Sequence, residues 1–177
     1  MTEVILISNV SGKDEVRIME DAVWLSEMLS LEMEVRPPRN LKAEQKFLDG
    51  NVATLRHDGR IIGYTDLRDY GKTAEITTFI IDPKYRGMGN ASKLVLKAIE
   101  SCPQQIILCC TKNPKMAKVL ENCGFEITHW PGLKEYFLLT INTIKRIFSM
   151  IFRFEFKRLW IQAKGFMKYK IYKLEKQ

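Results

Sequence analysis

The chemistry in this sequence concentrates in one decapeptide, Asp82-Pro83-Lys84-Tyr85-Arg86-Gly87-Met88-Gly89-Asn90-Ala91. Its glycines stand just before an apolar stripe at helical spacing, Ala91, Leu94, Val95, Ala98 and Ile99. Glycine accepts a left-handed backbone and brings no side chain. The amides from Arg86 to Ala91 can therefore turn into one concavity at the positive end of a helix, which suits a diphosphate. A bare Gly-x-Gly also marks ordinary turns. A dinucleotide fold would add a third glycine and an acidic residue ~20 positions on, after a parallel strand, and this chain has neither.

The surrounding elements follow from periodicity. Val4 to Val10, ended by Ser11-Gly12, predicts a strand and a turn. Asp14 to Leu31 repeats Ile18, Met19, Ala22, Leu25, Met28 and Leu29 at the spacing of an amphipathic helix, and Pro37-Pro38 forbids its continuation. Leu41 to Leu48 predicts a second short helix. Val52 to His57, Asp58-Gly59 and Ile61 to Leu67 predict a hairpin, and Glu75 to Ile81 a central third strand. Strand and helix then alternate: a helix from near Gly89, a buried strand from Gln105 to Cys110, and a helix that starts at Asn113-Pro114 and is capped at its far end by Gly124. Phe125 to Thr128 and Tyr136 to Ile141 predict the last strands.

In this strand-to-helix context the decapeptide resembles the acyl-CoA-binding motif, Arg/Gln-x-x-Gly-x-Gly/Ala, of the GNAT superfamily of N-acetyltransferases. Arg86, Gly89 and Ala91 occupy its defined positions. Asn113, Ala117 and Glu121-Asn122-Cys123-Gly124-Phe125 resemble the family's second cofactor segment, and the element order agrees from Val4 to Ile141, roughly four fifths of the chain. The resemblance implies an α/β fold with a mixed, mostly antiparallel, splayed sheet flanked by helices. The strand ending near Ile81 would part from Gln105 to Cys110 to admit the pantetheine arm of acetyl-CoA. The backbone of Phe79, Ile80 and Ile81 would bond that arm, Arg86, Gly87, Met88, Gly89, Asn90 and Ala91 would cradle the diphosphate, and Asn113 would contact the cofactor from the second helix.

The implied reaction is acetyl transfer to a primary amine without a metal. Glu75, eleven residues before Arg86, stands where the histone-acetylating branch carries its catalytic base; a solvated strand carboxylate is the other reading of it. Leu120 stands where many members carry a tyrosine that protonates the departing thiolate. That leaves Tyr85, Tyr136, Cys123, His129 or solvent for the step. His57 and His129 have no second ligand at metal-binding spacing, and Cys109-Cys110 reads as packing. The acceptor, whether a small molecule, a protein amine or a nucleic-acid amine, is open.

At 177 residues, 46% hydrophobic and 28% charged, the composition is that of a globular protein and excludes disorder and collagen. The greasiest stretch, Phe137 to Ile161, is broken by Lys145, Arg146, Arg153 and Glu155, so no spanning helix is expected. Met1 to Ser11 lacks the pattern of a leader, and four cysteines without CxxC spacing suggest a reducing, cytoplasmic setting. A GNAT domain over residues 1–141 leaves 142–177 as a basic amphipathic C-terminal extension of one or two helices. Ten Lys or Arg face two acids after Ile141, against 18 and 19 before it, within a net charge of +7. The extension reads as a packed helix, a homodimer interface, or a contact for nucleic acid or an anionic membrane. In the last case the chain is, alternatively, a GNAT-fold binding module with weak or no catalysis.

Overall fold

The computed structural model describes residues 12–129, 132–164 and 168–176; the strand expected over Val4 to Val10 lies outside them, as does Trp130. Helix α1 (Gly12–Leu31) turns Ala22, Leu25 and Leu29 inward, as their three- and four-residue spacing requires. Asn40 starts α2 (Leu41–Leu48) by accepting the Ala43 amide at 2.9 Å. Strands β1 (Val52–His57) and β2 (Arg60–Asp69) close a hairpin through Asp58 and Gly59, both at positive φ. Then follow β3 (Thr73–Ile81), a 3₁₀ turn (Pro83–Tyr85), α3 (Asn90–Ser101), β4 (Ile106–Thr111), α4 (Pro114–Asn122), β5 (Glu126–Thr128), α5 (Leu133–Phe152), α6 (Phe156–Ala163) and β6 (Lys170–Glu175).

Among the described residues the strands form one sheet in the order β1-β2-β3-β4-β6-β5, antiparallel throughout except for β3 beside β4. A parallel pair needs a crossover, and α3 supplies it. Because successive strand residues point to opposite faces, the sheet has two cores. Ile76, Ile107 and Tyr172 meet Leu94, Val95 and Leu120 of α3 and α4 on one face. Tyr64 and Ile80 meet Leu25 and Leu29 of α1 on the other.

Tyr136 to Ile141 is helical, not a strand: it belongs to α5. Phe137, Ile141, Ile144, Phe148 and Ile151 recur at helical intervals across fifteen residues of this 20-residue helix, a period that a six-residue window hides. The boundary expected after Ile141 falls inside this helix, and the chain beyond it returns to the sheet. β6 pairs with β4 from Ile106↔Glu175 to Thr111↔Lys170 and with β5 from Glu126↔Lys173 to Thr128↔Ile171.

Helix α6 is fixed to the end of α1 by two buried side chains. The last carbonyls of a helix have no partner within it. The Arg158 guanidinium donates to the carbonyls of Leu29 at 3.0 Å, Glu32 at 2.6 Å and Val35 at 3.1 Å, and Gln162 Nε2 donates to those of Met33 and Val35. A cation there also opposes the negative end of the helix dipole. Arg158→Met leaves these buried acceptors without donors and is expected to lower stability by about 3 kcal/mol. Urea denaturation checks this, with Arg158→Lys recovering only part of the loss.

Candidate cofactor and catalytic site

The two central strands separate. β3 and β4 pair from Thr73↔Ile106 to Ile76↔Cys109, after which β3 continues beside β2 and β4 beside β6. The parting coincides with a bulge: the β2–β3 register shifts between Tyr64 and Asp66, Thr78 takes a φ of 47°, and Thr65 Oγ1 donates to the Thr77 carbonyl at 2.7 Å. A β-branched residue in the left-handed region costs of order 1–3 kcal/mol and persists only where its surroundings impose it. Past the bulge, the β4-facing backbone of Phe79 to Ile81 is a strand edge. An extended, amide-bearing arm can add to such an edge.

Each strand flanking the wedge is followed in the chain by a helix, β3 by α3 after the 3₁₀ turn and the glycine loop, β4 by α4 after two residues. Asp82 fixes the first connection, accepting the Lys84 amide at 2.9 Å and the Trp24 indole N–H of α1 at 3.3 Å. Gly87 and Gly89 stand at φ 79° and 75°, and a Cβ on either would meet nothing within 4 Å. Their backbone, not crowding, demands glycine, and the concavity is open. Gly89 is the N-cap of α3 and offers no side chain to the first-turn amides, whereas Asn113 caps α4 by accepting from Lys115 N at 2.9 Å and Met116 N at 3.4 Å. The positive end of α3 is thus left for an anion.

The side chains of the motif are partly structural. Arg86 Nε donates to the Ile81 carbonyl at 2.9 Å and its guanidinium pairs with Glu32, the residue after α1, so Arg86 clamps the loop to the sheet and to the end of that helix. Asn90 Nδ2 donates to the Tyr85 carbonyl at 3.0 Å. Asn113 is engaged as a cap through Oδ1.

Glu75 lies on β3 one residue before the last β3–β4 pair, 8% exposed and opposite Arg68 of β2. The Tyr70 hydroxyl donates to its Oε2 at 2.8 Å. It is therefore a buried, partnered carboxylate, not a solvated one. Burial and then Glu75 push the Tyr70 hydroxyl up, which keeps it a donor. Burial and then Glu75 push the Cys110 thiol from 9.0 up to about 12.

Sequence reasoning did not single out Tyr70, because only the turn between β2 and β3 brings it to Glu75. Nor did it find the buried pair of Arg36 and Glu44, joined at 2.9 Å and 2.5 Å, or Asp66, which accepts from Tyr64 and from Thr77 Oγ1. The signal for Asp66 was its place as the one acid in the apolar run Ile61 to Leu67. Leu120 is fully buried in the α3–α4 core. Of the other proton-donor candidates, Cys123 Sγ lies 4.0 Å from the Ser92 carbonyl in the first turn of α3, Tyr85 stacks obliquely on His57 at 5.2 Å, and His129 is exposed. Tyr136's side chain is outside the description. Among the described residues no three His, Cys, Asp or Glu gather as metal ligands.

A mixed sheet that parts beside an uncapped helix start sets a free strand edge next to an anion-favouring helix end. The acetyltransferase (GNAT) family model matches residues 19–125, and the chain belongs to that family. Its fold is similar to that of YncA of Salmonella typhimurium, a putative acetyltransferase solved with acetyl-CoA, at 16% identity and a TM-score of 0.54 over 62% of this chain and 76% of that one. The ribosomal-protein-alanine N-acetyltransferase of Brucella melitensis aligns at 14% identity and 0.55 over 64% and 82%. Rv2747 of Mycobacterium tuberculosis, solved with CoA, aligns at 15% and 0.56 over 90% and 96%. No curated protein matches by sequence.

Tyr64, Tyr70, Cys109 and Cys110 are all held neutral by burial, reinforced by nearby acids. Each has a folded pKa above its unfolded value, so the unfolded chain releases protons first as pH rises. Stability from these groups is complete below about pH 8.5 and is lost as pH climbs from there toward 12. Urea midpoints between pH 7 and 11 are expected to fall on the alkaline side, and less steeply in a Tyr70→Phe/Cys110→Ser variant.

Proposed function

We propose that the protein binds acetyl-CoA in the β3–β4 wedge and transfers the acetyl group to a primary amine. The observation that carries this reading is the start of α3, where Gly89 holds a left-handed N-cap that leaves the first-turn amides uncapped and opens onto empty space. Gly87 to Ala91 receive the diphosphate there. The edge of Phe79, Ile80 and Ile81 bonds the pantetheine arm, and Asn113, which sets the direction of α4, contacts it from the other side. Arg86 acts by holding the loop.

Acetyl-CoA arrives as an activated thioester, so the protein must orient the amine, take its proton and stabilise developing charge. Glu75 is assigned the proton, directly or through water, with Tyr70 holding the carboxylate by its second oxygen. Leu120 has no proton to give, and the neutral Cys123 thiol beside α3 or solvent serves the leaving group. The four cysteines are free thiols, which supports a reducing, cytoplasmic setting. The acceptor is a small molecule, a protein or a nucleic acid bearing a primary amine.

Calorimetry with CoA is expected to show binding by the wild type and a loss of roughly 100-fold or more in Gly89→Glu, which adds bulk and negative charge at the anion site. Binding that is absent, or unchanged in the variant, would overturn the reading. With an acceptor found by screening thiol release, Glu75→Gln is expected to lower kcat/KM by ~10²–10⁴ and to flatten its acid limb, with CoA affinity retained. An unchanged pH profile would remove Glu75 from the mechanism.

A further inference from the structure

Helices α5 and α6 carry large apolar side chains that the fold leaves in water. Ile144, Phe148 and Ile151 follow one stripe of α5, and Phe152 at its end and Phe154 in the turn after it are each 79% exposed. Phe156 meets Phe154 edge-on at 6.0 Å, and Trp160, 71% exposed, stands on the face of α6 opposite the buried Arg158 and Gln162. Lys145, Lys157 and Lys164 are exposed beside them. So many large apolar side chains left in water on two successive helices, beside exposed lysines, mark an interaction site.

We infer that this ridge docks the protein on an anionic lipid surface, lying in the headgroup layer. Charge decides among the occupants. Arg153 and Arg158 are spent on carbonyls of the protein itself and Glu155 on Arg158, so among the described side chains the charges beside the ridge are the exposed Lys145, Lys157 and Lys164. A second copy would bring the same three lysines to face these. A nucleic acid would match the charge and could stack on the aromatics, but it would gain nothing from Ile144 and Ile151. A lipid surface answers both features, hydrocarbon for the aliphatic and aromatic groups and anionic headgroups for the lysines. Among the described residues no helix is long and apolar enough to cross a membrane, so the ridge lies on the bilayer.

The full chain is tested by co-sedimentation with phosphatidylcholine vesicles with and without phosphatidylserine. Binding is expected to the anionic vesicles, with preference over neutral ones. Phe152→Ser/Phe154→Ser/Trp160→Ser, all at exposed positions, is expected to weaken it roughly tenfold or more. Lys145→Gln/Lys157→Gln/Lys164→Gln is expected to lose about fivefold per lysine at low salt, with little effect on the residual binding to neutral vesicles. Circular dichroism and CoA affinity confirm that both variants are folded. No binding to anionic vesicles, or binding that neither variant changes, overturns the inference. So does a concentration-dependent dimer, or a duplex or single-stranded DNA complex, that the apolar variant abolishes while vesicles are not bound.

Discussion

The site depends on one constraint: β4 is held along its entire length by β6 while its other neighbour leaves it. The four β3–β4 pairs end at Ile76↔Cys109, but the ladder between β4 and β6 runs through all six residues from Ile106 to Thr111. Without β6, β4 would present two open edges beyond Cys109, and exposed edges invite pairing with whatever strand is near. With β6 in place, only the wedge-side edge is free. Tyr172 of β6, fully buried against the α3–α4 core, adds apolar burial to the hydrogen bonds that fix it. The wedge is thus a property of the sheet topology, and β6, remote in sequence from the glycine motif, holds β4 from its far side.

The second support comes from α1. Trp24 reaches Asp82, Glu32 reaches Arg86, and Arg86 reaches back to the Ile81 carbonyl, so the loop after β3 is tied to the helix on one side and to its own strand on the other. Glycine at positions 87 and 89 makes that loop conformation accessible, but these ties select it. Lys112 plays a related part after β4, donating to the Ile161 carbonyl and pairing with Glu34 at 3.0 Å. The loops at both sides of the wedge are anchored to the same segment, the end of α1, on which α6 also sits.

Much of this was legible in the sequence. The positions of α1 to α4 and of β1 to β4 follow from local periodicity, prolines, glycines and the Asn113-Pro114 cap, because each is specified by contacts a few residues apart. The glycine motif was legible for the same reason: Gly87 and Gly89 are required by backbone angles, which are local. What stayed hidden is non-local. Lys170-Ile171-Tyr172-Lys173-Leu174-Glu175 has three charged residues in six and reads as a basic tail, yet its place between β4 and β5 makes it a strand, with Lys173 paired to Glu175. Tyr136 to Ile141 has strand-like composition and is helical because the period continues to Phe152. Glu75's partners, Tyr70 and Arg68, are set by a turn and a register that no spacing rule predicts.

The charge asymmetry that made the last fifth of the chain look like an appendage has a mixed origin once the contacts are sorted. Arg158 opposes the end of α1, Arg153 donates to the Pro38 carbonyl, and the Lys176 ammonium donates to the carbonyls of Ile99 and Cys102 where α3 ends. Helix C-termini concentrate unpaired carbonyls and negative dipole ends, and a segment that crosses two of them is favoured if it carries cations. Part of the basic excess is therefore structural and would be needed by a protein with no polyanionic partner at all. Exposed Lys145, Lys157 and Lys164 are different, because they stand beside the apolar residues and, among the described residues, none donates its ammonium to the end of another helix. Packing against the protein's own carbonyls explains Arg153, Arg158 and Lys176 but not these three. The residual charge, not the total, is the quantity that points outward.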